Sequence, residues 1–148
     1  MAVRSAIARW EGDLRGGGGT MALGSGAFEG QYSYRSRFED GAGTNPEELI
    51  GAAHAGCFTM ALANMLAEAG HTANQVETTA RVHFEPVDGV PTITRIELST
   101  EGDVPEVDEA EFDRHADAAK QGCAVSRALG GVDISLEAKL VAGSARAA

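Results

Sequence analysis

Residues 45–66, NPEELIGAAHAGCFTMALANML, constrain the fold of this chain more than any other stretch. Asn45 or Thr44 can cap a helix, Pro46 has the fixed φ that suits a first helical position, and Glu47 and Glu48 favour the positive end of the helix dipole. The pattern predicts a helix from about Pro46 to Ala69, stopped by Gly70. Its middle departs from an ordinary core helix. Gly51, Ala52, Ala53, Ala55 and Gly56 stand just upstream of one thiol, Cys57, where Leu, Ile and Phe would be used to fill a core. Small residues let another backbone approach closely. Ile50, Ala53 (or His54), Cys57, Ala61 and Asn64 fall on one helical stripe with polar atoms on both sides. That stripe reads as a surface buried against something else, a second copy of the chain among the candidates.

Around this helix the pattern is mostly strand. Residues 3–10, VRSAIARW, alternate loosely, EGDLRGGGG reads as a hairpin connection, and TMALGSG and EGQYSYRSRF read as further strands of an N-terminal meander. The Gly16–Gly19 run lacks the Lys-Ser/Thr of a phosphate-binding loop and no helical pattern follows it, so it reads as a flexible loop. Residues 75–86 and 92–100 alternate with period two, and DGVP joins them into a hairpin. VDEAEFDRHADAAKQG predicts a second helix with Asp108 as N-cap and Gly122 at its end. CAVSRALGG predicts a short third helix, VDISLEAKL a last strand, and residues from about 142 to 148 a frayed tail. Strands at the start, middle and end around helices point to an α+β fold with antiparallel sheet. The length, 148 residues, suits a single domain spanning 1–148.

The net charge of −10 would repel a phosphate backbone or an anionic lipid surface, so neither nucleic acid nor membrane is an expected partner. No run approaches the roughly 18 apolar residues of a membrane span, and MAVRSAIARWEGD carries no signal-peptide pattern. The expected location is the cytoplasm.

Two lone cysteines in a reducing compartment, here Cys57 and Cys123, are most often buried small hydrophobes. A thiol is a nucleophile only as thiolate. Cys57 lies too far into its helix for the dipole to favour that form, so it needs a cation from elsewhere. Arg35 and Arg37, in YRSRFED, are the nearest candidates, although propensity alone makes them ordinary strand arginines. Cys123 opens a short helix whose backbone N–H groups point at the thiol, so local electrostatics make it the more acidic of the two. A metal set of His54, Cys57, His115 and Cys123 is conceivable, but Gly122 spoils the second pair, and no metal or cofactor is expected. Nothing local supplies a general base for hydrolase or acyl-transfer chemistry at Cys57.

The chain resembles the OsmC/Ohr superfamily, the osmotically inducible protein C and organic hydroperoxide resistance proteins. WEGD at 10–13, SRFED at 36–40, TNPEELIGAAHAGCFTMAL at 44–62 and GCAVSRAL at 122–129 stand in the family's order, and the resemblance covers nearly the whole chain. HAGCF, with the arginine in SRFE, is similar to the OsmC branch. The resemblance implies an intertwined homodimer of α+β subunits with antiparallel sheets around two long central helices. It implies a thiol-dependent peroxidase that reduces organic hydroperoxides, and hydrogen peroxide more weakly, with a dithiol reductant, lipoyl proteins among the candidates. By motif, Cys57 is implied as the peroxidatic cysteine, Cys123 as the resolving one, Arg37 as the activating cation and Glu47 as its partner. Ala124 stands where the family often has proline, which would leave the resolving thiol more mobile. A non-catalytic thiol redox sensor or ligand-binding member of the same fold is the alternative. On a continuous helix Glu47 lies about 15 Å in rise from Cys57, so the expected dimer is isologous, with each site built from both chains.

Overall fold

Residues 1–141 are described by the structure, a computed structural model; the tail read as frayed lies outside them. The chain falls into two compact units, Met1–Leu49 and Ile50 onward.

In the first unit β1 (Ala6–Glu11), β2 (Gly18–Leu23) and β3 (Glu29–Tyr32) form an antiparallel meander in that order. Gly18 and Gly19 belong to β2 rather than to a flexible loop. A Cβ on Gly19 would lie 2.8 Å from both the Trp10 and the Tyr32 ring, so glycine lets those rings meet edge-to-face over the strand, 5.2 Å apart. The stretch SYRSRF, expected as strand, turns instead into a short helix, α1 (Tyr34–Phe38). A capping box causes this. Ser33 Oγ accepts from the Ser36 amide at 3.1 Å, Ser36 Oγ accepts from the Ser33 amide at 2.8 Å, and Ser36 Oγ donates to the Thr44 carbonyl at 2.7 Å. Arg35 and Arg37 are therefore helical residues, not strand arginines.

Helix α2 (Pro46–Glu68) starts as its caps dictate: Asn45 Oδ1 accepts from the Glu48 amide at 2.8 Å. It ends in a Schellman motif, with Gly70 at φ 90° and the amides of Gly70 and His71 donating to the carbonyls of Ala67 and Leu66.

In the second unit β4 (Gln75–Val87) and β5 (Val90–Asp103) make the expected hairpin. Asp88 and Gly89 both take positive φ, 51° and 79°, the turn that matches strand twist. Helix α3 (Glu109–Gly122) is capped by Asp108, whose carboxylate accepts from the Glu111 amide. After α4 (Ala124–Ala128), β6 (Asp133–Leu140) pairs with β5 in parallel, which corrects the expectation of wholly antiparallel sheet. The crossover from β5 through two helices returns the chain in the same direction, and a crossover is what a parallel pair requires.

The second unit has its own core. Phe58, Leu62 and Leu66 of α2 are buried with Ile96 and Leu98 of β5 and with Phe112, Ala116 and Ala119 of α3. By length and composition α2 could cross a membrane, its best window reaching a mean hydropathy of 1.4, contrary to the sequence reading. Its many alanines raise that average without supplying a run of large apolar side chains.

Candidate active site

The two thiols, distant in sequence, share the second unit. Cys57 is half-buried on α2; Cys123 is almost wholly buried where α3 ends and α4 begins. Its backbone is extended, φ −66° and ψ 139°, and it is the N-cap of α4. Its sulfur accepts from the Ser126 amide at 3.3 Å and lies 3.2 Å from Ser126 Oγ. Behind Ser126 stands His54, one turn before Cys57 on α2, with Nε2 2.7 Å from Ser126 Oγ. His54 is fully buried, and among the described residues its Nδ1 has no partner.

Electrostatics follow from this packing. Burial pushes the Cys123 thiol up, but hydrogen bonds from the Ser126 hydroxyl and amide, the Cys57 thiol and the Val125 amide outweigh it and hold Cys123 below the ordinary thiol value. Burial pushes His54 down from 6.5, which keeps the ring neutral. An unfolded chain therefore takes up this proton first as pH falls. The associated stability is complete above about pH 6.5 and is lost as pH drops toward the folded value. The melting temperature is expected to fall between about pH 7 and 5.5, and less steeply in His54→Leu; calorimetry across that range checks it, and equal slopes would mean His54 contributes nothing.

The first unit holds the other two predicted residues. Arg37 of α1 donates to Glu47 from Nε at 3.1 and 3.4 Å and from Nη2 at 2.9 Å; the Glu47 side chain is only 8 % exposed. Arg35 differs: its side chain is 74 % exposed and meets Glu39 across one turn, at 3.6 Å. A buried carboxylate that grips a guanidinium at two nitrogens fixes its orientation. Beside Arg37 an open cavity of about 410 Å³ is lined by Trp10, Leu14, Tyr32, Tyr34 and Phe38.

Sequence reasoning missed Ser126 and offered His54 as a stripe residue or a member of a metal set, whereas it lies in the core. The spacing Cys123-x-x-Ser126, an N-cap and its third residue, was the available signal for Ser126. His115 does not join the cysteines in a four-ligand set: its Nε2 lies 3.5 Å from Glu111 Oε2, the oxygen that His71 meets at 3.0 Å. Among the described residues no three His, Cys, Asp or Glu side chains are placed to hold a metal ion.

The model of the OsmC family, described as OsmC-like protein, matches residues 39–137, which include α2, both thiols and Ser126. The chain belongs to the OsmC family. It is 50 % identical to the peroxiredoxin OsmC of Escherichia coli (strain K12) over 123 residues, 82 % of this chain and 86 % of that one, and equally to the peroxiredoxin OsmC of Shigella flexneri. This member of the OsmC family is a cysteine-based peroxidase. The organic hydroperoxide resistance protein OhrB of Bacillus subtilis superposes with a TM-score of 0.73 at 25 % identity, over 91 % of this chain and 98 % of that one. An OsmC-like protein from Vibrio cholerae shares the fold, with a TM-score of 0.74 at 15 % identity over 93 % and 99 % of the two chains.

Proposed function

We propose that this protein reduces organic hydroperoxides to alcohols. The observation that carries the reading is the presence of two free cysteines, half-buried Cys57 packed against the core cluster to which buried Cys123 belongs. Cys57 thiolate attacks the terminal oxygen of the O–O bond. The alkoxide leaves and is protonated to the alcohol, and Cys57 becomes a sulfenic acid. Cys123 displaces its hydroxyl to form a disulfide and release water. A dithiol, of which a lipoyl protein is one kind, reduces the disulfide to two thiols and is itself oxidised to a disulfide. Arg37 is the activating cation and Glu47 its holder, assigned from the family motif and supported by the two-nitrogen grip between them. The aromatic-lined cavity beside Arg37 offers apolar surface to an organic substituent, which hydrogen peroxide lacks.

The working form is a cytoplasmic homodimer of single-domain subunits. On α2, Ala53, Gly56, Met60 and Asn64 form an exposed stripe, with Met60 78 % exposed, and small residues there admit a close second helix. The test is steady-state consumption of cumene hydroperoxide and hydrogen peroxide with a dithiol or a monothiol reductant. Turnover with the dithiol and at least about tenfold higher kcat/KM for cumene hydroperoxide are expected, a difference of about 1.4 kcal/mol in transition-state binding. Stoichiometric oxidation without recycling would make the protein a redox sensor.

A further inference from the structure

The mechanism above leaves unused a buried hydrogen-bond chain that ends on one of its sulfurs. His54 is fully buried, Ser126 and Cys123 nearly so, and His54 Nε2, Ser126 Oγ and Cys123 Sγ follow one another at 2.7 and 3.2 Å. The direction of this chain decides what it does. A neutral imidazole carries one proton. If Nδ1 carried it, a buried N–H donor would have no acceptor, because Nδ1 has no partner among the described residues. A bare acceptor at that position is the less costly orphan. The proton therefore belongs on Nε2, which donates to Ser126 Oγ. With Oγ accepting from the ring, its own O–H is free to donate. Once the Cys123 thiol loses its proton the sulfur can only accept, and it lies at the right distance for that hydroxyl and for the Ser126 amide at 3.3 Å.

We propose that His54 is a positioning residue for the second thiol: its Nε2–H orients the Ser126 hydroxyl to donate to Cys123 as a thiolate. This rests on the proposed roles of Cys57 and Cys123. The same chain serves two steps. In closure, Cys123 thiolate attacks the Cys57 sulfur, the S–S bond forms, the S–O bond breaks, and the departing hydroxide takes a proton to become water. In recycling, a reductant thiolate attacks the Cys57 sulfur of the disulfide, and Cys123 leaves as a thiolate, which the same two donors stabilise. Ser126 touches the reacting sulfur; His54 acts through Ser126.

The experiment has two arms. In a Cys57→Ser background, where Cys123 is the sole thiol, ultraviolet thiolate absorbance against pH gives its midpoint. Ser126→Ala is expected to raise that midpoint by about one to two pH units, since hydrogen bonds to a charged group are worth that much. Ser126→Thr, which keeps the hydroxyl, is expected to restore it. His54→Leu, similar in volume and without the orphaned nitrogen, is expected to raise it by a smaller amount and decides the matter if Ser126→Ala does not fold. In the protein with both thiols, sulfenic acid trapping after one equivalent of cumene hydroperoxide follows closure, which is expected to slow about tenfold in Ser126→Ala while the first oxidation keeps its rate. Unchanged midpoint and closure rate in Ser126→Ala overturn the inference; so does an unchanged midpoint in His54→Leu. Failure of the unsubstituted protein to form any Cys57–Cys123 disulfide would instead overturn the proposed reaction, and leaves the midpoint arm to judge the hydrogen-bond chain on its own.

Discussion

Cys57→Ser protein is expected to consume no organic hydroperoxide beyond the uncatalysed rate. The chemical step is attack by a sulfur anion on a weak O–O bond. A serine hydroxyl, far less acidic and less polarisable than a thiol, does not replace it. Removing a covalent nucleophile costs at least roughly a thousandfold in kcat. Cys123→Ser has a different expected signature. The first oxidation proceeds, the hydroperoxide yields one equivalent of alcohol, and the sulfenic acid then persists or oxidises further for want of the second thiol. Intact-mass measurement after one equivalent of cumene hydroperoxide separates the two: no added mass for Cys57→Ser, one added oxygen for Cys123→Ser, and loss of two hydrogens for the unsubstituted chain. A Cys57→Ser protein that forms sulfenic acid at Cys123 and turns over would exchange the two roles. The buried position of Cys123, 3 % exposed against the half-buried Cys57, argues for Cys57 reacting first, because peroxide must reach the first thiol and need not reach the second.

Arg37→Met is expected to slow the first oxidation by roughly ten- to a thousandfold while the closure step keeps its rate. An attractive charge within a few ångströms favours an ionised partner by roughly one to three decades, and methionine keeps much of the bulk without the charge. Arg35→Met serves as the control. That side chain is largely in solvent and its ion pair with Glu39 is an exposed helix pair worth little, so a change below about twofold is expected. A larger effect from Arg35 would show that the wrong arginine was assigned. Glu47→Ala leaves Arg37 without its two-nitrogen anchor and should reproduce most of the loss. Whether a site draws on both chains of a dimer is read from the same variants. Cys57→Ser and Glu47→Ala proteins, unfolded and refolded together, regain part of the activity if the glutamate of one chain serves the thiol of the other. They stay inactive if each chain is self-sufficient or the protein is a monomer at assay concentration.

What the sequence determined by itself was carried by contacts a few residues apart, although not every such contact was legible: the Ser33–Ser36 capping box is equally local, yet its stretch reads as strand. Asn45, Pro46 and Gly70 bound α2 because capping is a matter of one helical turn. Asp88-Gly89 closes the β4–β5 hairpin because only positive φ suits that turn. Asp108 starts α3 in the same local way. The family motif around Cys57 was legible for the same reason, as an unbroken run of residues. Tertiary structure decided the rest. Period-two alternation in residues 132–140 is identical for a parallel and an antiparallel partner, so only the crossover through α3 and α4 determined that β6 runs along β5. The serines of SYRSRF read equally as strand residues until Ser36 reached both the Ser33 backbone and the Thr44 carbonyl. The contact of His54 with Ser126, side chains 72 positions apart, could not be read from either segment. A buried histidine and a core alanine occupy the same helical face, and only the packing of α4's first turn against α2 gave the ring a hydroxyl to bond.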